Sequence, residues 1–280
     1  MCVAASLAQA QIGIDVSLER TEYLLYEPVK IQVEITNYLS EPLDMVRMSG
    51  KNSWLDFHVM TTEGEEVKRT ERVLEPPQMT LLPKQSKSVS INLLPRFLIR
   101  DSGEYLVKAR VVHRDREASS RTIKFSVVKG ITVWEKRYLV PANFRDSASD
   151  DNARLYSLVR HRVNDLPILY ARIISLQEER VYCTMALGNI LDQCDPENWI
   201  DLKGNLHVFH QSGTHTFNYM CISNNGKRLS ARFFSDIRTI PKVVINDNDE
   251  VEIIGGEEIL NNSDGTQTIV PTAPLWVPKR

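Results

Sequence analysis

His207, His210 and His215 stand close together, and three imidazoles that converge can hold a zinc or copper ion. The stretch NLHVFHQ at 205–211 reads as a β-strand, however, so His207 and His210, three residues apart, point to opposite faces unless the chain bends. We read them as hydrogen-bonded or solvent-facing strand histidines. Asn246-Asp247-Asn248-Asp249-Glu250 has the closely spaced oxygens that open a calcium loop. No glycine follows at the required place and Val251-Glu252-Ile253-Ile254 runs straight into a strand, so an Asx-type hairpin turn is expected. For nucleophilic chemistry there is no GxSxG elbow, and no cysteine sits in a reactive signature. Ser102 belongs to a turn, DSGEY. Gly255-Gly256 is isolated at a strand end and no phosphate-cradling loop exists, so no nucleotide cofactor is expected. Thirty-six acidic residues leave any pair of glycosidic carboxylates unspecified. Tyr170, Tyr182, Phe209, Phe217 and Tyr219 fall at strand positions, where half-burial is the expected role rather than a carbohydrate or peptide platform. No catalytic, cofactor-binding or metal-ligating residue is assigned.

The elements that carry these residues are strands. Its 280 residues are a length that one large or two ordinary domains would share, and two are expected. Its 42% hydrophobic and 25% charged content excludes a collagenous or largely disordered chain. Lys and Arg number 34 against 36 Asp and Glu, a net charge of −2, and neither half is basic. That balance excludes the positive field that nucleic acid selects. No stretch approaches the roughly 18 apolar residues that span a bilayer as a helix, so no integral membrane segment is expected.

From Ile12 onward apolar and polar residues alternate, as in Val29, Ile31, Val33 and Ile35. Further runs occur at Trp54–Met60, Val89–Leu93, Tyr105–Val112 and Thr122–Val128, separated by turn formers. Seven or so such short strands in about 120 residues predict a β-sandwich. In DSGEYLVKARV at 101–111, Asp101, Gly103 and Tyr105 take the spacing of a tyrosine corner, whose hydroxyl bonds back to backbone while its ring covers the core. On these residues, 12–130 resembles an immunoglobulin-like domain of exported bacterial proteins, and YEPVKIQVEITN is similar to strands of proteinase-inhibitor or macroglobulin-type sandwiches. The pattern departs from antibody domains, because Val107 replaces the second cysteine and Ile31–Ile35 holds none. Trp54 fits the core position of a strand-C tryptophan.

Residues 131–166 read as a linker with one strand, GITVWEKRYLVP, and then a short helix. Leu155, Leu158 and Val159 take helical spacing there, with Ser149 or Asp150 as the cap. Residues 167–256 read as an antiparallel β repeat domain: a hairpin turning at Glu178-Glu179, then strands at 205–211, 214–223 and 227–234. Asn225-Gly226 predicts a two-residue hairpin turn. GNLHV at 204–208 and DEVEI at 249–253 lie 45 residues apart, a blade-like period, and the region resembles an incomplete propeller. The proline-bearing residues 257–280, with Trp276, read as a flexible tail. The fold class is therefore all-β.

MCVAASLAQA, with Ala8-Gln9-Ala10, has the form of a signal-peptidase site without a basic n-region, so residues 1–11 read as a truncated export lead. Without Cys2, the odd set Cys183, Cys194 and Cys221 leaves one thiol free; Cys183 and Cys221 suit buried positions, and a Cys183–Cys194 bridge is the one pairing considered. The reading that follows is a secreted or periplasmic, non-enzymatic interaction, assembly or envelope module with a protein or envelope component as partner. The alternatives are a proteinase-inhibitor-like module and a hydrolase with a site in the C-terminal half.

Overall fold

Alternation of side chains along β3, Lys30–Asn37, shows how the first half folds: Ile31, Val33 and Ile35 are fully buried while Lys30, Gln32 and Glu34 are exposed. The computed structural model describes residues 11–46, 53–70, 75–114, 116–145, 152–176, 180–246, 250–261 and 267–272. The chain divides into two compact units, 1–129 and 130–280. In the first unit β3 is joined by β1 (Ile12–Leu18), β2 (Glu22–Leu24), β4 (Leu43–Met45), β5 (Leu55–Thr61), β6 (Met79–Leu81), β7 (Ser86–Asn92), β8 (Gly103–His113), β9 (Arg116–Ser119) and β10 (Ile123–Val128).

One sheet runs β1-β3-β7 and the other β2-β10-β8-β5, with β9 on β8 and a β4-β6 ribbon beside them. β10 is parallel to β2 and every other pair in these two sheets is antiparallel. With β1, β3 and β7 as strands A, B and E, and β5, β8 and β10 as C, F and G, this is an immunoglobulin-like sandwich. The tyrosine corner forms as its spacing predicts: the Tyr105 hydroxyl donates to the Asp101 carbonyl at 2.8 Å, and its ring stacks on Phe125 at 5.5 Å. Trp54 is buried immediately before β5.

The second unit contains β11 (Ile131–Leu139), β12 (Ala153–Val163), β13 (Leu166–Ser175), β14 (Val181–Asn189), β15 (Glu197–Ile200) and β16 (Leu206–Gly213). After these come β17 (Thr216–Ile222), β18 (Arg228–Ser235), β19 (Lys242–Ile245), β20 (Val251–Ile254), β21 (Glu257–Asn261) and β22 (Gln267–Pro271). A four-stranded sheet, β11-β12-β13-β14, packs on a six-stranded one, β15-β16-β17-β18-β21-β22. Tyr156, Leu158, Ala171 and Ile173 from the first meet Leu206, Val208, Met220 and Ile222 from the second. The other face of the six-stranded sheet carries Phe209, Phe217, Tyr219, Cys221 and Phe234, capped by Ile253, Val243 and Val251 of the β19-β20 ribbon.

Three expectations are corrected here. Leu155, Leu158 and Val159 lie on strand β12 and not on a helix. β12 pairs on both sides, and Arg154, Tyr156, Ser157, Leu158 and Val159 are all buried, so the polar-apolar alternation that marks a half-exposed strand is missing. Glu257–Asn261 and Gln267–Pro271 are the paired strands β21 and β22, joined to β18 at Phe233↔Ile259, and not a tail. Pro271 is tolerated because it lies on the sheet's outer strand, where no further ladder bond is asked of it. Finally, GNLHV and DEVEI are not equivalent, since Leu206–Val208 is interior to the six-stranded sheet and Val251–Ile254 pairs only with β19. The unit is a face-to-face packing of two sheets with a ribbon, in place of radial blades.

Turn chemistry differs in detail. At Ser223–Lys227 only Gly226 has positive φ, and its N–H donates to Ser223 O at 2.9 Å, so the hairpin uses a three-residue loop in place of the expected two-residue one. The two-residue turn with both φ positive occurs at Asn164-Asp165, between Val163 and Leu166. Ser149, Asp150, Glu178, Glu179, Trp276 and residues 1–10 lie outside the described residues.

Candidate functional site

His207 and His210 lie on opposite faces of β16, as their spacing requires. His207 is held on the ribbon side by a dense polar network. Asp201, in the turn between β15 and β16, accepts N–H bonds from Lys203 and Asn205 at 2.9 and 2.8 Å and the Asn205 side-chain amide at 2.8 Å. His207 Nε2 donates to Asp201 Oδ2 at 3.1 Å, Nδ1 accepts the Tyr219 hydroxyl at 2.8 Å, and the ring stacks on Trp199 at 5.0 Å. Burial favours the neutral Asp201 carboxyl, but the bonds from His207 and Asn205 outweigh it and hold the group below its usual range.

Cys221 Sγ lies 3.9 Å from His207 Nε2, which gives this cluster the side chains of cysteine-based hydrolysis. No sequence signature joined these residues, because β16 and β17 bring His207 opposite Cys221 only through register. The geometry does not activate the thiol. Nε2 carries the proton given to Asp201 and has no lone pair to accept another. Burial, with a further contribution from the Asp201 charge, pushes the Cys221 thiol up to about 12, and the residue is 7% exposed. Cys221 is therefore expected to resist iodoacetamide at pH 8 in the native chain and to react once unfolded. Rapid native alkylation, followed by mass spectrometry of the Cys221 peptide, would contradict this account.

His210 and His215 also bond within the chain. His210 is buried and its Nε2 donates to Asn189 O at 3.1 Å; His215 is exposed and pairs with Asp236 at 2.9 Å. Among the described residues no three His, Cys, Asp or Glu side chains converge as metal ligands. Asn246 Oδ1 accepts the Glu250 N–H at 2.9 Å across the mouth of the β19-β20 hairpin; 247–249, on which the expected Asx-type turn depends, lie outside the described residues. Gly255 and Gly256 have φ of +70° and +69° and turn the chain from ribbon to sheet; a Cβ on Gly256 would come within 2.8 Å of Pro241. Tyr170, Phe209, Phe217 and Tyr219 are buried, and half-buried Tyr182 lies under the Arg154 and Arg180 guanidiniums at 4.0 and 4.8 Å. Cys183, Cys194 and Cys221 are free thiols, so the Cys183–Cys194 bridge does not form.

The accessible feature lies on the opposite side of the six-stranded sheet. Phe233 and Phe234 are adjacent, so a strand must send one ring to each face: Phe234 is buried beneath the ribbon, and Phe233 is 37% exposed on the face turned toward the four-stranded sheet. That smaller sheet packs on β16 and β17, and Leu229, Phe233 and Ile269 further out remain exposed. Across the strands, register aligns Asn218, Phe233, Ile259 and Ile269 in one row. A groove of about 320 Å³ lies along it, lined by Ser212, Thr216, Asn218, Phe233, Ile259 and Gln267, none of them charged. Asn218 is fixed by Ser212 Oγ at 2.9 Å and by its own bond to Leu187 O at 3.3 Å. β22 bounds the row as an outer strand. Thr272 N–H donates to Gly256 O, which makes Glu258↔Val270 and Leu260↔Thr268 the hydrogen-bonded pairs and turns the Ile269 N–H and C=O away from β21. The doubled phenylalanine was the one sequence signal for this face.

No known protein family matches the chain, and no curated protein does. Solved structures similar to it include the CARDB domain of a Pyrococcus furiosus protein in complex with di-metal ions, at 15% identity over 42% of this chain and 87% of that one, TM-score 0.26. The sporulation control protein Spo0M of Bacillus subtilis matches at 9% identity over 87% of this chain and 89% of its own, TM-score 0.30. The periplasmic chaperone SfaE matches at 11% identity over 77% and 96%, TM-score 0.23. These are loose likenesses, and the immunoglobulin-like assignment rests on strand order and the tyrosine corner.

Proposed function

We propose that this protein is an exported, non-enzymatic interaction module that takes an extended protein segment as an added strand along β22. The export element of the reading is supported by the Ala8-Gln9-Ala10 lead. The observation that carries the binding element is the mismatch of six strands against four, which leaves an apolar row ending at a strand with outward backbone groups. Added strands gain affinity from main-chain bonds and selectivity from alternate side chains; here the Ile269 N–H and C=O supply the former and the uncharged groove the latter. The non-enzymatic element is supported by the enclosure of the Cys221–His207–Asp201 cluster. Titrating the chain, at micromolar concentration, with a capped hexapeptide alternating valine and threonine is expected to shift the Ile269 and Phe233 amide resonances saturably. Ile269→Pro, which removes the outward donor and leaves the β21 ladder bonds in place, should abolish the shift. No shift at either residue would sink the reading.

A further inference from the structure

Asn218 lines the groove of the six-stranded sheet, and its hydrogen bonds can be counted. Its amide nitrogen donates to Leu187 O at 3.3 Å, and a carbonyl only accepts, so the amide is held in one orientation. Oδ1 then takes the proton of Ser212 Oγ at 2.9 Å. The nitrogen rests against Gly188, where a Cβ would come within 2.6 Å of it, so the group is fixed in place before any ligand arrives. A carboxamide has two N–H donors and two acceptor lone pairs, and these contacts use one of each. One donor and one acceptor remain, on a side chain only 8% exposed. Beside it Thr216 Oγ1 lies 3.2 Å from Ser212 Oγ, and Phe233 and Ile259 supply apolar surface.

This lining selects by exclusion. A charged ligand would lose its hydration with no counter-charge among the lining residues. At Asn218, Phe233 and Ile259 the strands pair on both sides, so the groove floor offers no main-chain groups, and a peptide backbone laid in it would bury amides unpaired. A wholly apolar group would leave the remaining donor and acceptor of Asn218 unmatched. What fits is a neutral molecule with an apolar face for Phe233, hydroxyls for Ser212 and Thr216, and one secondary amide whose N–H and C=O answer Asn218. A pyranose ring has an apolar C–H face and a rim of hydroxyls, and an acetamido substituent is such an amide. We propose that the groove binds an N-acetylated hexosamine residue, with its acetamido group on Asn218 and its C–H face on Phe233. The volume of about 320 Å³ stands at the small end of ligand sites and suits a single sugar residue. The inference goes beyond the strand-addition reading, because it uses the groove alone and no main-chain group of β22.

Titrating the full chain with N,N′-diacetylchitobiose tests this, with the Asn218 side-chain amide and the Phe233 backbone amide as reporters. The result expected is a saturable shift of both resonances at millimolar ligand. Cellobiose, which carries hydroxyls where the acetamido groups stand, should bind about tenfold more weakly or worse, since it leaves the Asn218 donor and acceptor unmatched. That comparison needs no variant to fold. Phe233→Leu, at a position 37% exposed and so tolerant of the change, should weaken the diacetyl ligand severalfold by removing the ring. Ile269→Pro should leave sugar binding unchanged, because Ile269 does not line the groove. No shift at either reporter, equal affinity for cellobiose, or binding indifferent to Phe233→Leu each overturns the inference. A chain that binds the valine-threonine peptide and no sugar overturns it and leaves the strand-addition reading standing; one that binds the sugar and no peptide upholds it and overturns that reading.

Discussion

Lowering the pH from 7 to 4 is expected to cost the second unit about 3 kcal/mol of stability through His210 alone, taking 1.36 kcal/mol per pKa unit. His210 is 2% exposed, and its burial pushes the imidazole down to about 4, opposed only in part by the Asn189 carbonyl. Nδ1 has no hydrogen-bond partner, so no second contact offsets the cost of charging the ring. In the folded chain the ring stays neutral until about pH 4, while an unfolded histidine takes a proton near 6.5. Between those values the unfolded state binds more protons, so stability falls as pH falls through the window, and the loss is complete below it. Burial, with Arg114 and Arg116 nearby, lowers His113 in the first unit in the same sense. Asp201 acts further down: its lowered carboxyl contributes stability that is lost as pH falls through its folded value. Denaturant unfolding of a Trp54→Phe background, whose remaining tryptophans all lie beyond residue 130, reads the second unit. His210→Gln keeps a donor for Asn189 and removes the titration, so its stability should change far less between pH 7 and 4. An unchanged pH slope in that variant would contradict the assignment.

Phe125→Ala is expected to destabilise the first unit by about 3–5 kcal/mol, the range for emptying a buried aromatic site. Phe125 is buried where the two-sheet corner closes, edge-on to Tyr23 at 6.1 Å and stacked on Tyr105 at 5.5 Å. Truncation leaves a cavity and also unseats Tyr105, whose hydroxyl ties the corner to Asp101. Leu82→Ala, on a residue 57% exposed, should stay within about 0.5 kcal/mol of wild type. Urea titration of both variants, followed by Trp54 fluorescence in a chain lacking the other tryptophans, separates them. Equal effects would mean that Phe125 does not pack as described.

The first unit was largely legible because its strands are half-exposed: Ile31, Val33 and Ile35 alternate with polar neighbours, and the Asp101–Tyr105 spacing encodes a specific local bond. The second was less so, for a physical reason. β12 is buried on both faces, with Arg154 and Ser157 among its interior residues, and such a strand loses the period of two on which recognition depends. Asn164-Asp165 carried the missing hairpin signal, since both residues tolerate positive φ. The Cys221–His207 approach depends on the cross-strand pairing of residues 14 apart in the sequence, which no local pattern specifies. The open face was hidden for a similar reason, because it follows from how many strands each sheet recruits.

That difference in strand number is the centre of this account. Fluorine labels at Phe233 and Phe234, read one at a time against a soluble paramagnetic agent, measure it directly. Strong broadening at Phe233 with little at Phe234 is the predicted result. Protection of Phe233 would mean that its face is covered, and broadening of Phe234 in its place would mean that β18 is shifted by one residue; either would contradict the binding surface described.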